Sequence, residues 1–194
     1  MHNAVAGSTH FGYWYRITDH PEGPSYTKDY CPKKIPLGIF SNNSVHSTGR
    51  FGLWIFPGYT PTLTGGCNDN SKGVAVFDSL IAYSNDKGGE AVNSNVIQFT
   101  NFTVWDHTDT GIDTKIIKGN SDQNSRFRDV FYDENNGPLI ADSIIIGNSQ
   151  NGQSSGSGIT LPWDRGQLIK NVAFYNFLGN DPAMKATEIS GVCL

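Results

Sequence analysis

An internal repeat limits this chain more than any other feature. Residues 3–15 (NAVAGSTHFGYWY) align without a gap on residues 43–55 (NSVHSTGRFGLWI) at an offset of 40, with Asn3/Asn43, Val5/Val45, Phe11/Phe51, Gly12/Gly52 and Trp14/Trp54 identical. Two of the four tryptophans thus fall in register. An eight-residue unit also recurs: FSNNSVHS from 40, FDSLIAYS from 77, FTNFTVWD from 99, IADSIIIG from 140 and IKNVAFYN from 169. It opens on an apolar residue, carries a small polar residue third and an apolar one sixth. The starts lie 37, 22, 41 and 29 residues apart. Removing the polar or Pro/Gly-rich stretches 57–72, 119–137 and 152–158 returns each gap to about 22, and removing 18–34 does the same for the offset of 40.

A short period built of strands, with inserts at fixed corners, is the signature of a β-solenoid. One strand of this length cannot bury its apolar side alone, whereas stacking at about 4.8 Å closes a continuous core. The expected fold is all-β: a right-handed parallel β-helix of the pectate-lyase-like kind, handed as parallel connections require. It reads as a single domain over 1–194 with loop inserts at about 18–34, 57–72, 119–137 and 152–158. Positions four and six of the unit should point inward: Leu80 and Ala82, Phe102 and Val104, Val172 and Phe174. The third position holds Asn42, Ser79, Asn101, Asp142 and Asn171, types that tolerate the left-handed backbone of a sharp corner. Residues 181–190 are the one helix candidate, with Asp181 as N-cap and Pro182 in the first turn. Neither terminus reads as a cap, so the solenoid is expected to be incomplete at one or both ends, with Met1 the start of a fragment.

Composition supports strands and turns. Gly and Asn, 22 and 18 residues, fill about a fifth of the chain and are poor helix formers. Eleven Phe, eight Tyr and four Trp are too many for a disordered chain. The net charge of −4 argues against nucleic acid as a partner. Apolar runs such as FGLWIF at 51–56 are far below the ~20 residues of a membrane helix, so no direct membrane insertion is expected.

Position seven of the unit should point outward, and it holds His46, Tyr83, Trp105, Ile146 and Tyr175. Alternation along the longer repeat puts Phe51, Leu53 and Ile55 on one face and Trp54 on the other, with Trp14 its match one turn away. Such rings could form a platform for the C–H faces of a sugar polymer, with Arg50, Asp106 and His107 as polar neighbours. Equally, they could stack on one another and only stabilise. The candidate ligand-binding residues are therefore Trp14, Trp54, His46, Arg50, Tyr83, Trp105, Asp106 and Tyr175. Glycoside cleavage needs two suitably spaced carboxylates, and DHTDTGID offers Asp106, Asp109 and Asp113, which a solvated turn explains better. The five histidines lack zinc-site spacing, and no phosphate-binding or nucleophile motif is present, so no metal and no cofactor is expected. Cys31 and Cys67 fall in the inserts after Trp14 and Trp54, which makes them a candidate disulfide pair that would imply an oxidising compartment, with Cys193 left over. The sequons at Asn42 and Asn101 also fit secretion, although both Asn occupy the corner column.

The segments NAVAGSTHFGYWYR (3–16), HPEGPS (20–25) and IPLGIFSNNSVHS (35–47) resemble, in order and spacing, one known family. It comprises the cell migration-inducing hyaluronan-binding protein, the transmembrane cell-surface hyaluronidase and fibrocystin-L. The resemblance implies a right-handed parallel β-helix in a large extracellular or cell-surface protein with further domains upstream and downstream. Two members depolymerise hyaluronan, whereas fibrocystin-L looks like a surface-coat or receptor-like protein. The residues tied to cleavage belong to an upstream domain, so no catalytic residue carries over. HFGYWYR and FGLWIF look closer to the fibrocystin-L branch. The expectation is a glycan-binding or coat-supporting module, non-catalytic by itself. The alternative is a hyaluronidase-like, glycoside-cleaving module.

Overall fold

The computed structural model describes residues 1–117, 134–149, 156–163, 165–177, 181–185 and 191–193, with 117, 165 and 191–193 described for the backbone alone. The chain is all-β, and it passes back and forth between two parallel sheets. Ala4–Ala6 (β1) and Phe11–Tyr15 (β2) form the first pass, and Asn43–His46 (β3) and Phe51–Ile55 (β4) the second. Val74–Asp78 (β5), Leu80–Tyr83 (β6) and Lys87–Ser94 (β7) follow, then Val96–Thr100 (β8), Thr103–Trp105 (β9) and Thr110–Ile117 (β10). Leu139–Ile146 (β11) with Ser157–Thr160 (β12), Arg165–Tyr175 (β13) with Met184–Lys185 (β14), and Gly191–Cys193 (β15) complete the series. One sheet runs β1-β3-β6-β9-β11-β13-β15, with β5 and β8 extending it. The other runs β14-β12-β10-β7-β4-β2. The two are separate ladders, not hydrogen-bonded into a closed tube.

The repeat sets the register. Trp14 pairs with Trp54 and Phe11 with Phe51. Phe40, Phe77, Phe99, Ile140 and Ile169 pair in succession as one buried column. The third residue of the unit is left-handed in all five copies, with φ between 51° and 56°. Side chains offset that strain: Asp78 accepts from Ser41, Ser79, Thr100 and Asn101, and Asp142 accepts from Asn171 Nδ2 at 2.7 Å. Ser47, Ser84, Asp106 and Asn176 at the eighth position are left-handed as well, φ 53° to 55°. Each of these short strands is thus bracketed by two corners. Leu80, Ala82, Phe102 and Val104 are fully buried between the sheets, facing Leu53, Ile55, Ile112 and Ile159, while Val172 and Phe174 pack at the margin of that core. Each fully buried Leu, Ile or Phe contributes roughly 1.5–3 kcal/mol.

A glycine column lets the second sheet stack. A Cβ built on Gly12, Gly52, Gly88, Gly111 or Gly158 would fall 2.4–2.7 Å from the carbonyl oxygen of the next pass. This column corrects one expectation. Gly52 is buried, and Phe51 turns out to stack on Trp54 (4.7 Å, 3°) instead of sharing the core face with Leu53 and Ile55. Two more expectations change. Met184–Lys185 is a strand, because it adds to the edge of the second sheet, so the described part of 181–190 is not helical. Ser157 and Gly158, read as the end of a loop, belong to β12. Residues 119–133 and 152–155 of the third and fourth inserts, 186–190 of the helix candidate and Leu194 lie outside the described residues.

Candidate functional site

The outward residues expected to form one platform lie on two different sheets. On the first, His46, Tyr83 and Trp105 stack face to face (4.6 Å at 7°, then 4.5 Å at 6°), and Ile146 and Tyr175 continue their column. Ring planes stacked along this axis turn their faces toward each other and their edges outward. Tyr83 therefore has both faces covered, and the column is a self-satisfying ladder. Asp106 ends this strand at a left-handed corner, where its carboxylate accepts from the Ser149 backbone N–H (2.7 Å) and hydroxyl. Its oxygens are thereby engaged in holding one pass to the next.

The second sheet carries the other column. Trp14 pairs with Trp54, Trp54 with Glu90, Glu90 with Asp113, Asp113 with Thr160 and Thr160 with Lys185. The outer face thus runs from aromatic through ionic to hydroxyl and ammonium groups. At the aromatic end Trp54 lies parallel to Phe51 and Phe56 and against Phe11 (4.7 Å), while Trp14 remains 44% exposed. Arg50 is exposed at the residue before β4. The Trp54 indole N–H donates to Glu90 Oε1 at 2.8 Å, joining the rings to the ionic cluster.

In that cluster Lys87 Nζ lies 2.5 Å from both Glu90 Oε2 and Asp113 Oδ2, and Lys115 Nζ lies 2.7 Å from Asp113 Oδ2. Glu90 and Asp113 are only 4% and 1% exposed. Burial raises the Glu90 pKa, and the Lys87 ammonium opposes that rise. Burial alone would depress Lys87, but Asp113 and Glu90 outweigh it and hold the ammonium above its ordinary range. Removing one member of such a buried set typically costs about 3–5 kcal/mol, so the cluster serves to rivet adjacent strands. His107, expected as a surface neighbour, is 3% exposed and belongs to the interior.

The first two inserts meet beyond the ends of β2 and β4. Cys31 and Cys67 are bonded across them, with 5.2 Å between their Cα atoms. Lys34 Nζ donates to the carbonyls of Cys67 (2.6 Å) and Asp69 (2.7 Å), and the backbones bond at Thr60–Lys33 and Thr62–Lys34. Between them lies a cleft of about 420 Å³.

A family model described as the CEMIP beta-helix matches residues 1–53. Human Fibrocystin-L is 42% identical over 99% of this chain. In sequence the chain is thus similar to members of the CEMIP and fibrocystin-L family. It spans about 4% of the length of Fibrocystin-L, and so corresponds to one segment of much longer relatives. Human Cell surface hyaluronidase CEMIP2 is 29% identical over 78% of the chain and 12% of its own length. The Cell migration-inducing and hyaluronan-binding protein of Mus musculus is 26% identical over 89% of the chain and 14% of its own length. The CEMIP beta-helix match takes in Trp14, Cys31, His46 and Arg50. No helix among the described residues is long and apolar enough to cross a membrane.

Two features of the site escaped the sequence reading. Glu90 and Lys87 look like an ordinary charged turn until the register puts them beside Trp54 and Asp113. The mutual geometry of the two inserts has no local signature except the paired cysteines.

Proposed function

We propose that this segment is an extracellular module of a cell-surface or secreted protein, one right-handed parallel β-helix domain with loop inserts, that binds a hyaluronan-like polysaccharide along the outer face of its second sheet. It works beside other domains of a longer chain and is non-catalytic by itself. The observation that carries the reading is the exposed Trp14 ring, stacked on Trp54 at 5.5 Å beside a strand that opens on the exposed Arg50. An apolar ring presented next to hydrogen-bonding side chains suits the alternating C–H and hydroxyl surfaces of a sugar. Arg50 supplies a cation for an acidic sugar from the start of β4. The ladder of His46, Tyr83, Trp105 and Tyr175, with Asp106, holds the passes together. The hyaluronan-related names of two relatives and the disulfide support the extracellular glycan reading.

A second reading, glycoside cleavage, draws on Glu90 beside Asp113, a buried carboxyl next to a second one. Against it, both carboxylates are covered and held by lysines. Incubation with hyaluronan followed by size-exclusion chromatography separates the two. Binding without shortening supports the module. Shortening that disappears in Glu90→Gln reverses the choice. A glycan array on which the protein retains no polysaccharide removes both.

A further inference from the structure

We infer that the cleft between the two disulfide-linked inserts is a binding site for an oxyanion carried on a sugar, the carboxylate or sulfate of an acidic glycan. The inference deepens the glycan-binding reading and rests on it for the sugar, though not for the anion. The whole chain has a net charge of −4, yet this cleft gathers Lys28, Lys33 and Lys34 against one carboxylate, Asp19. The three lysines do different work. Lys34 is committed to the Cys67 and Asp69 carbonyls and holds the walls in place. Lys33 Nζ meets Asp19 Oδ1 at 2.9 Å, and that carboxylate side chain is 79% exposed. The lysine is partly buried but its carboxylate partner stands open to water, so the pair is weak and Asp19 acts as an exchangeable counter-ion. Lys28 makes no ion pair among the described residues.

The rest of the lining suits a sugar. The Tyr26 ring is 58% exposed and meets His20 edge-on at 6.1 Å, giving the cleft an aromatic wall. The Tyr30 carbonyl lies 3.2 Å from His20 Nδ1, which fixes the proton on that nitrogen and leaves Nε2 as an acceptor in the neutral ring. Asn68 and Thr60 add side chains that donate and accept. The disulfide, the Lys34 bridge and the backbone bonds between the inserts preform this arrangement, so little ordering is needed on binding. Because both inserts leave the second sheet directly after β2 and β4, the cleft lies at the ends of the strands that carry Trp14 and Trp54.

The test uses the 194-residue protein and its Lys28→Glu variant, which reverses an exposed charge and leaves the walls intact. Hyaluronan oligosaccharides and neutral chitin oligosaccharides are titrated calorimetrically, and sodium acetate and sodium sulfate by amide NMR at constant ionic strength. The inference predicts saturable shifts at Lys28, Lys33 and Asn68 with the anions, and about a tenfold loss of acidic-oligosaccharide affinity in Lys28→Glu with the neutral sugar unaffected. A stronger response to acetate assigns a uronate, and a stronger response to sulfate assigns a sulfate ester. Equal acidic-sugar affinity in parent and variant overturns the inference and leaves the glycan-binding reading standing. Anion shifts with no oligosaccharide bound by the parent overturn the glycan-binding reading, and the sugar named here with it. No saturable shift with either anion overturns the cleft as an anion site whatever Trp14 does.

Discussion

His107 lies in the interior at the turn after β9, and neither ring nitrogen makes a well-aligned hydrogen bond among the described residues. Burial holds its pKa down at about 4, against the opposing pull of the Asp106 carboxylate and the Asn85 carbonyl. An unfolded chain would protonate the same ring near its ordinary 6.5. The folded state thus binds fewer protons, and stability contributed by the neutral ring is complete above the unfolded value and is lost as pH falls through the window from 6.5 to 4. At pH 5 the unfolded ring is largely protonated and the folded one is not. With 1.36 kcal/mol per pKa unit, the cost is ~2 kcal/mol at pH 5, rising to ~3.4 kcal/mol below pH 4. Replacing His107 with Gln keeps a polar side chain of similar size and removes the titration. Urea unfolding of parent and variant at pH 7.5 and 5.0 isolates this group, since the other histidines and the carboxylates are common to both. The parent is expected to lose ~2 kcal/mol more than His107→Gln between the two pH values. An equal loss in both proteins would refute the claim that a neutral, buried imidazole is required here.

Further outcomes follow from the stacking. Gly88→Ala puts a Cβ 2.6 Å from the Gly111 oxygen and 2.7 Å from Val104 Cγ1. It should cost ~1–3 kcal/mol in urea unfolding, and a cost below ~0.5 kcal/mol would contradict the close-approach argument. Tyr83→Ala opens the His46–Trp105 ladder and should lower the melting temperature while hyaluronan affinity stays at the parental value; lost affinity with unchanged melting would count against the ladder as structural. Cys31→Ser with Cys67→Ser removes a bond spanning 36 residues and should cost about 3–4 kcal/mol, read as a shifted unfolding midpoint in urea; an unmoved midpoint would show that the inserts hold together without it.

The parts of the fold that show in the sequence are those repeated at the same place in every pass. Phe40, Phe77 and Phe99 declare a column because each opens the same unit. Asn42, Ser79 and Asn101 declare a corner because only certain side chains tolerate that backbone. The second corner was equally open to view, as Ser47, Ser84, Asp106 and Asn176 are again short polar residues. Strict alternation failed at Phe51 because the glycine after it turns inward, which moves the phenylalanine to the Trp54 side. His107 looked like a surface residue because its neighbours in DHTD are polar, whereas its burial is decided by the left-handed Asp106 that turns the chain inward. The Trp54–Glu90–Asp113 column changes residue type from one pass to the next, so pattern matching cannot follow it. It becomes visible only once strands are placed in register. The insert cleft depends on a contact between two loops, which local preference does not encode.

The measurement that bears most directly on the proposed role is the calorimetric affinity of the parent and of Trp14→Ala for hyaluronan oligosaccharides, each checked by its melting curve. The account predicts at least about a tenfold loss in Trp14→Ala, with stability within ~1 kcal/mol of the parent because that ring is half exposed at the end of its stack. Undiminished affinity in a folded Trp14→Ala would contradict it.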